Sequence, residues 1–198
     1  MNPFDIIHQY YDPRSELYRV LVTHSILVAK KALDIATAFQ PRRPQHEIDL
    51  TFIYEAAMLH DLGIFRCDAP EIFCTGKAPY ICHGVIGREI LESAGLPRHA
   101  LVCERHTGAG LSRENVIQQK LPLPLRDYLP VSLEEKIICL ADRFYSKTSH
   151  ELFYEKNLRQ IHHDMRKWGS EILVRFESLC DLLLPDWRKS ECETLVSQ

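Results

Sequence analysis

Along this chain apolar positions recur at three- and four-residue steps almost from end to end, the spacing of one buried face of an α-helix. From residue 15 to about 39, Leu17, Val20, Leu21, His24, Leu27, Val28, Leu33 and Ile35 trace one stripe, with Pro13 suited to the helix start and Pro41 and Pro44 marking its stop. A strongly apolar stretch over about 47–61 predicts a second helix, with Gly63 placed to cap it in the left-handed conformation. Residues 65–80, interrupted by Pro70, Gly76 and Pro79, read as an ordered loop. Further helices are expected at about 83–94, 97–105 and 112–120, the last with Ser112 as its N-cap. The segment LPLPLRDYLP holds too much proline for regular helix. Ser132 followed by Glu135 is a capping-box signature and opens the helix that carries Asp142. A final helix over 158–184 would place Ile161, Met165, Trp168, Ile172, Phe176, Leu179 and Leu183 on one stripe. That stripe packs against the domain in the first reading and forms the seam of a homodimer in the second. No strand pattern or internal repeat stands out. The expected fold class is all-α, with one helical domain over 1–155 and a C-terminal helical extension over 156–198 packed on it.

Composition narrows the function without naming it. At 198 residues, with 45% hydrophobic and 26% charged, the chain is long enough to bury one full core. A net charge of −3 gives no global attraction for nucleic acid or an anionic membrane, though a local basic pocket for a phosphorylated substrate stays compatible with it. No apolar run approaches the roughly 20 residues that cross a bilayer. The N-terminal stretch lacks the basic-then-apolar order of a signal peptide, so a cytoplasmic protein is expected. Seven cysteines, odd in number and scattered without a C-x-x-C, argue against a disulfide framework or a zinc ribbon and read as reduced core thiols.

Against that background six positions stand out: His24, the adjacent His60 and Asp61, His83, His106 and Asp142, each on a stretch that reads as helix. Imidazole and carboxylate are the donors that hold Zn²⁺, Fe²⁺ or Mn²⁺. One histidine on an apolar helix face is more often a packing residue than a ligand; the combination is what points to a metallohydrolase. A helical bundle can aim side chains from separate helices at one interior point. Asp61, with two oxygens, can bridge two cations where a histidine cannot. Two cations about 3.5–4 Å apart would hold a hydroxide and clamp a phosphoryl oxygen, which is phosphoester hydrolysis without a covalent intermediate. His8, His46, His99, His150, His162 and His163 lack such a context. His162 and His163 diverge by about 100° on a helix, too far to share one ion.

The strings THSILVAKKAL around His24, EAAMLHDLGIF around His60 and Asp61, and CLADRF around Asp142 resemble the HD-domain metal-dependent phosphohydrolase superfamily, which takes its name from the adjacent His-Asp pair. HGVIGREILESAGL at His83 and the stretch from Glu104 to Phe144 resemble a subgroup of small HDIG-type proteins of archaea and bacteria. The likeness covers about 15–147 and leaves the C-terminal helix outside it. It implies an HD-domain helical bundle in which His24, His60, Asp61 and Asp142 bind a first metal. His83 and His106 would complete a second site with Asp61 as bridge, and catalysis would rest on Asp61 and His60. Two divalent ions, Fe or Mn first and Zn, Co or Ni as alternatives, are the implied cofactors. The chain departs from the family in reading Leu62-Gly63 after Asp61, where the HDIG name calls for Ile-Gly. It also reads His106-Thr107 where the cyclic-di-GMP class has His-His, which argues against that substrate.

For the substrate, Lys77, Arg113, Arg143 and Thr107 are the candidate contacts, the cations as charge-assisted donors to phosphate oxygens. The resulting expectation is hydrolysis of a phosphomonoester or phosphoanhydride of a nucleotide or similar small metabolite, with no nucleic acid or membrane partner. Two alternatives use the same chain: an HD-type diiron oxygenase with the same ligands, and a non-catalytic module that senses a nucleotide and signals through the C-terminal helix.

Overall fold

The computed structural model describes residues 1–148 and 150–188, and its architecture follows from where polar side chains stop the apolar stripes. A short helix α1 (Pro3–Ile7) precedes the long α2 (Glu16–Phe39), which starts where the Ser15 hydroxyl accepts the Tyr18 N–H at 3.1 Å. The start is thus fixed by serine capping, and Pro13 lies outside the helix. Helix α3 (Leu50–Leu59) is shorter than its apolar run because Asp49 caps it, accepting the Phe52 N–H at 2.9 Å. The chain then tightens into a 3₁₀ turn (Leu62–Arg66) before a group of short strands. Helices α4 (His83–Ser93), α5 (Pro97–Arg105), α6 (Arg113–Gln118) and α7 (Leu133–Asp142) follow, with α8 (Leu158–Lys167) and α9 (Ser170–Leu183) at the end. The all-α class stands.

Helix α2 is the spine. Its apolar stripe, including Val20, Leu21, Val28, Ala32 and Phe39, is buried, and it packs against α3, α7 and α9. Removing these side chains from water is the main force that assembles the helices. Helix α4 lies against α5 on one side and against the 3₁₀ turn on the other.

Several local expectations change. Gly63 is not a left-handed cap. A Cβ at this position would lie 2.2 Å from the His83 carbonyl oxygen and 2.6 Å from the Gly87 nitrogen, so glycine is what lets the 3₁₀ turn touch the α4 backbone. The loop over 65–80 contains a three-stranded sheet of order β2-β1-β3. In it β1 (Cys67–Ala69) pairs antiparallel with β2 (Cys74–Thr75) and parallel with β3 (Ala78–Pro79). Strands this short cannot display a two-residue period. The capping box at Ser132 is half formed: its hydroxyl accepts the Glu135 N–H, while the Glu135 carboxylate accepts from the Val131 N–H and from Arg105. The long final helix is broken in two at Gly169, whose φ of +123° no helix accommodates. Ile161, Met165, Ile172, Phe176, Leu179 and Leu183 are buried as the stripe requires, but Trp168, at the break, is 47% exposed. Cys192 lies outside the described residues. The other six cysteines are free thiols, and all but Cys82 are buried.

Candidate metal centre

The sequence places His60 as the C-cap of α3, His106 as the C-cap of α5, and His83 where a 3₁₀ turn (Tyr80–Cys82) runs into α4. The last carbonyls of a helical turn have no partner within it. Here each ring supplies one: His60 Nδ1 lies 2.6 Å from the Ala57 oxygen, His83 Nδ1 2.6 Å from that of Tyr80, and His106 Nδ1 2.8 Å from that of Cys103. Donating Nδ1–H to a carbonyl assigns the tautomer, leaves a lone pair on every Nε2, and aims it away from the helix end.

Those lone pairs converge. His24 Nε2 lies 3.3 Å from His60 Nε2 and 2.9 Å from Asp142 Oδ1, and His83 Nε2 lies 3.0 Å from His106 Nε2. Asp61 sits between the groups, with Oδ2 3.0 Å from His60 Nε2 and Oδ1 3.4 Å from both His83 and His106 Nε2. The donors form two sets, His24–His60–Asp61–Asp142 and Asp61–His83–His106, and within each set the donor atoms lie within 4.8 Å of one another. All six side chains are buried.

This arrangement fits divalent cations. Two Nε2 lone pairs facing each other at 3.0 Å repel unless a positive charge joins them. Burial opposes supplying that charge as a proton: it pushes His24 and His83 down to about 3 and His106 down to about 4. Burial pushes the Asp61 carboxyl up, yet His60 and Lys147 beside it outweigh that and hold it well below the usual carboxylate range. Neither Asp61 oxygen receives a well-directed hydrogen bond among the described residues, although Lys147 Nζ lies 2.7 Å from Oδ2. Buried acceptors left without donors are what a cation satisfies.

The centre opens into a cavity of about 550 Å³ that His83, His106 and Asp142 line. Arg143, its guanidinium paired with Asp142, and Thr107 also line it. Lys77 and Arg113 do not: both are exposed, and the Arg113 backbone N–H is taken up by Asp127. Lys147, in the irregular segment after α7, was not anticipated. Tyr80 was not either; its ring stacks on His83 with centroids 4.8 Å apart. The remaining histidines stay outside the centre. His99 pairs with Glu55 and His162 with Glu177, while His163 points to solvent.

The family model for the HD domain matches residues 21–147, a segment that contains all six converging side chains. The chain belongs to the HD-domain family. HD-domain proteins form a metal-dependent phosphohydrolase superfamily, and the buried His/Asp group of this member is compatible with divalent metal binding. Among relatives, the uncharacterized protein MJ0778 of Methanocaldococcus jannaschii is 33% identical over 74% of this chain and 82% of its own length. Two proteins named tRNA (cytidine(56)-2'-O)-methyltransferase also match, from Picrophilus torridus and Thermoplasma volcanium, at 32% and 30% identity. The matches cover 71% and 62% of this chain but only 39% and 31% of those longer proteins. No solved structure matches significantly.

Proposed function

We propose that this HD-domain protein is a dinuclear phosphohydrolase acting on a phosphomonoester or phosphoanhydride of a nucleotide or similar small metabolite. The observation that carries the reading is Asp61, whose two oxygens face two separate sets of buried imidazoles beside a cavity of substrate size. His24, His60, Asp61 and Asp142 would hold one ion, and Asp61, His83 and His106 the other. A mixed nitrogen and oxygen set of this kind suits Fe or Mn and also accepts Zn, Co or Ni. When bound, such ions lower the pKa of a water and neutralise charge on phosphoryl oxygens.

The chain's own groups do the rest. Carbonyls of Ala57, Tyr80 and Cys103 lock three imidazoles in one tautomer, so the donor set is oriented before any ligand arrives. Arg143 and Lys147 bring fixed positive charge to the cavity wall next to Asp142 and Asp61, where phosphoryl oxygens would lie. The Thr107 side chain adds a hydroxyl donor. Methyltransferase activity is a property of the longer relatives and is not carried over.

The test is release of inorganic phosphate from a panel of nucleotides and sugar phosphates by protein loaded with Mn²⁺ or Fe²⁺, with dissolved oxygen followed in parallel. Phosphate release without oxygen uptake, abolished in His60→Ala with helicity retained, is the expected result. Oxygen uptake in place of phosphate, or full turnover by the variant, would overturn the assignment.

A further inference from the structure

The cavity does not end at the metal centre. Part of its wall comes from α8 and its flanks, beyond the matched segment: Lys156, Ile161, Asp164, Met165, Lys167 and Trp168 line it. Ile161 and Met165 are buried on the apolar stripe of α8, and Trp168 would continue that stripe. Gly169 stops the helix instead, leaving the indole 47% exposed on the cavity wall. The turn that presents it is held in place, because Gln119 Nε2 donates to the Trp168 carbonyl oxygen at 3.3 Å and the Trp168 N–H donates to Met165. Beside it, Asp164 accepts from Lys156 at 3.0 Å and from Lys167 at 3.2 Å. The carboxylate offsets one of the two ammonium charges, so this part of the lining joins apolar and aromatic surface to a hydrogen-bonding edge that keeps a net positive charge. Arg143 and Lys147, paired with Asp142 and Asp61 of the metal centre, line the same cavity.

We propose that Trp168 and the α8 wall form a subsite for the nucleobase of a nucleoside phosphate, and that this extension sets substrate specificity; the proposal rests on the phosphohydrolase reading above. A cavity of about 550 Å³ is far larger than a phosphate requires. A sugar phosphate would leave the indole, Ile161 and Met165 against water or hydroxyl groups. A flat heterocycle instead covers the indole face, and its ring nitrogens and exocyclic groups meet the Asp164–lysine edge. Stacking of a base on an aromatic side chain contributes about 1–3 kcal/mol, which corresponds to roughly 5- to 150-fold in affinity.

The experiment titrates the metal-free full-length protein with AMP, UMP, adenosine and ribose 5-phosphate, following tryptophan emission and binding heat. AMP, UMP and adenosine should quench emission, and ribose 5-phosphate should not. Trp168→Ala should remove that quenching and weaken AMP binding at least fivefold, and Trp168→Phe should restore most of the affinity. Because the indole is half exposed, neither substitution opens a hole in the core. Equal affinity of wild type and Trp168→Ala for AMP, or binding of ribose 5-phosphate as tight as AMP, would overturn the subsite. The two readings fail separately. Base-dependent binding with no phosphate released on metal loading would sink the hydrolase and keep the subsite, whereas hydrolysis of ribose 5-phosphate as efficient as that of AMP would do the reverse.

Discussion

Three imidazoles in this protein, His60, His83 and His106, are oriented by one device, an Nδ1–H given to the carbonyl three residues back. The device points them inward, and burial of the centre makes the protein sensitive to acid. In the unfolded chain a histidine titrates near 6.5, about the ordinary value. In the folded protein burial holds His24 and His83 down at about 3 and His106 at about 4. Between those limits the unfolded state takes up protons that the folded centre refuses. Stability from this source is therefore complete above about pH 6.5 and is lost as pH falls toward about 3; the depressed Asp61 carboxyl adds a loss of the same sign below the usual carboxylate range. For metal-free protein we expect Tm to fall by on the order of 10 °C between pH 7 and pH 5, and His83→Gln to flatten the curve. A Tm independent of pH over that range would contradict the burial of neutral imidazoles. The six converging positions were legible in the sequence because each lies in a local string with its own helical context. Lys147 was not, since a lysine in an irregular segment carries no periodicity, and only the folded chain brings it to Asp61.

Among the elements, the contact that positions the second donor set is the approach of the 3₁₀ turn (Leu62–Arg66) to α4. It depends on Gly63, where a Cβ would meet backbone atoms that have no freedom to swing away. Gly63→Ala should cost about 2–3 kcal/mol by urea denaturation. Gly95→Ala is the control: its φ is +73°, but no atom lies within 4 Å of the added carbon, and the cost should be about 1 kcal/mol. Equal losses in the two variants would show that close packing at Gly63 is not what matters. The existence of α2, α4, α5 and α7 was readable from apolar spacing, whereas the five-residue α1 was not anticipated. Two features were not. Strands of two or three residues fall below any pattern length, and the break at Gly169 is invisible to a stripe that stays in phase on both sides of it. The exposed indole at that break is the clearest case in which following the stripe alone misplaces a side chain.

At the scale of the whole molecule, the helices bring donors that are far apart in sequence to one buried point and leave a broad cavity beside it. The segment shared with the family supplies the donors, while α9 packs on α2 and α7 and α8 adds part of the cavity wall. None of the described helices is long and apolar enough to cross a membrane. Two donor sets joined through one carboxylate make a specific demand on stoichiometry. Metal content per chain, measured by elemental mass spectrometry on protein purified without chelator or nickel affinity, tests it directly. Close to two Fe or Mn per chain, falling to about one in His83→Ala, is the result expected for a dinuclear centre bridged by Asp61. No bound metal, or a single ion that His83→Ala leaves in place, would contradict it.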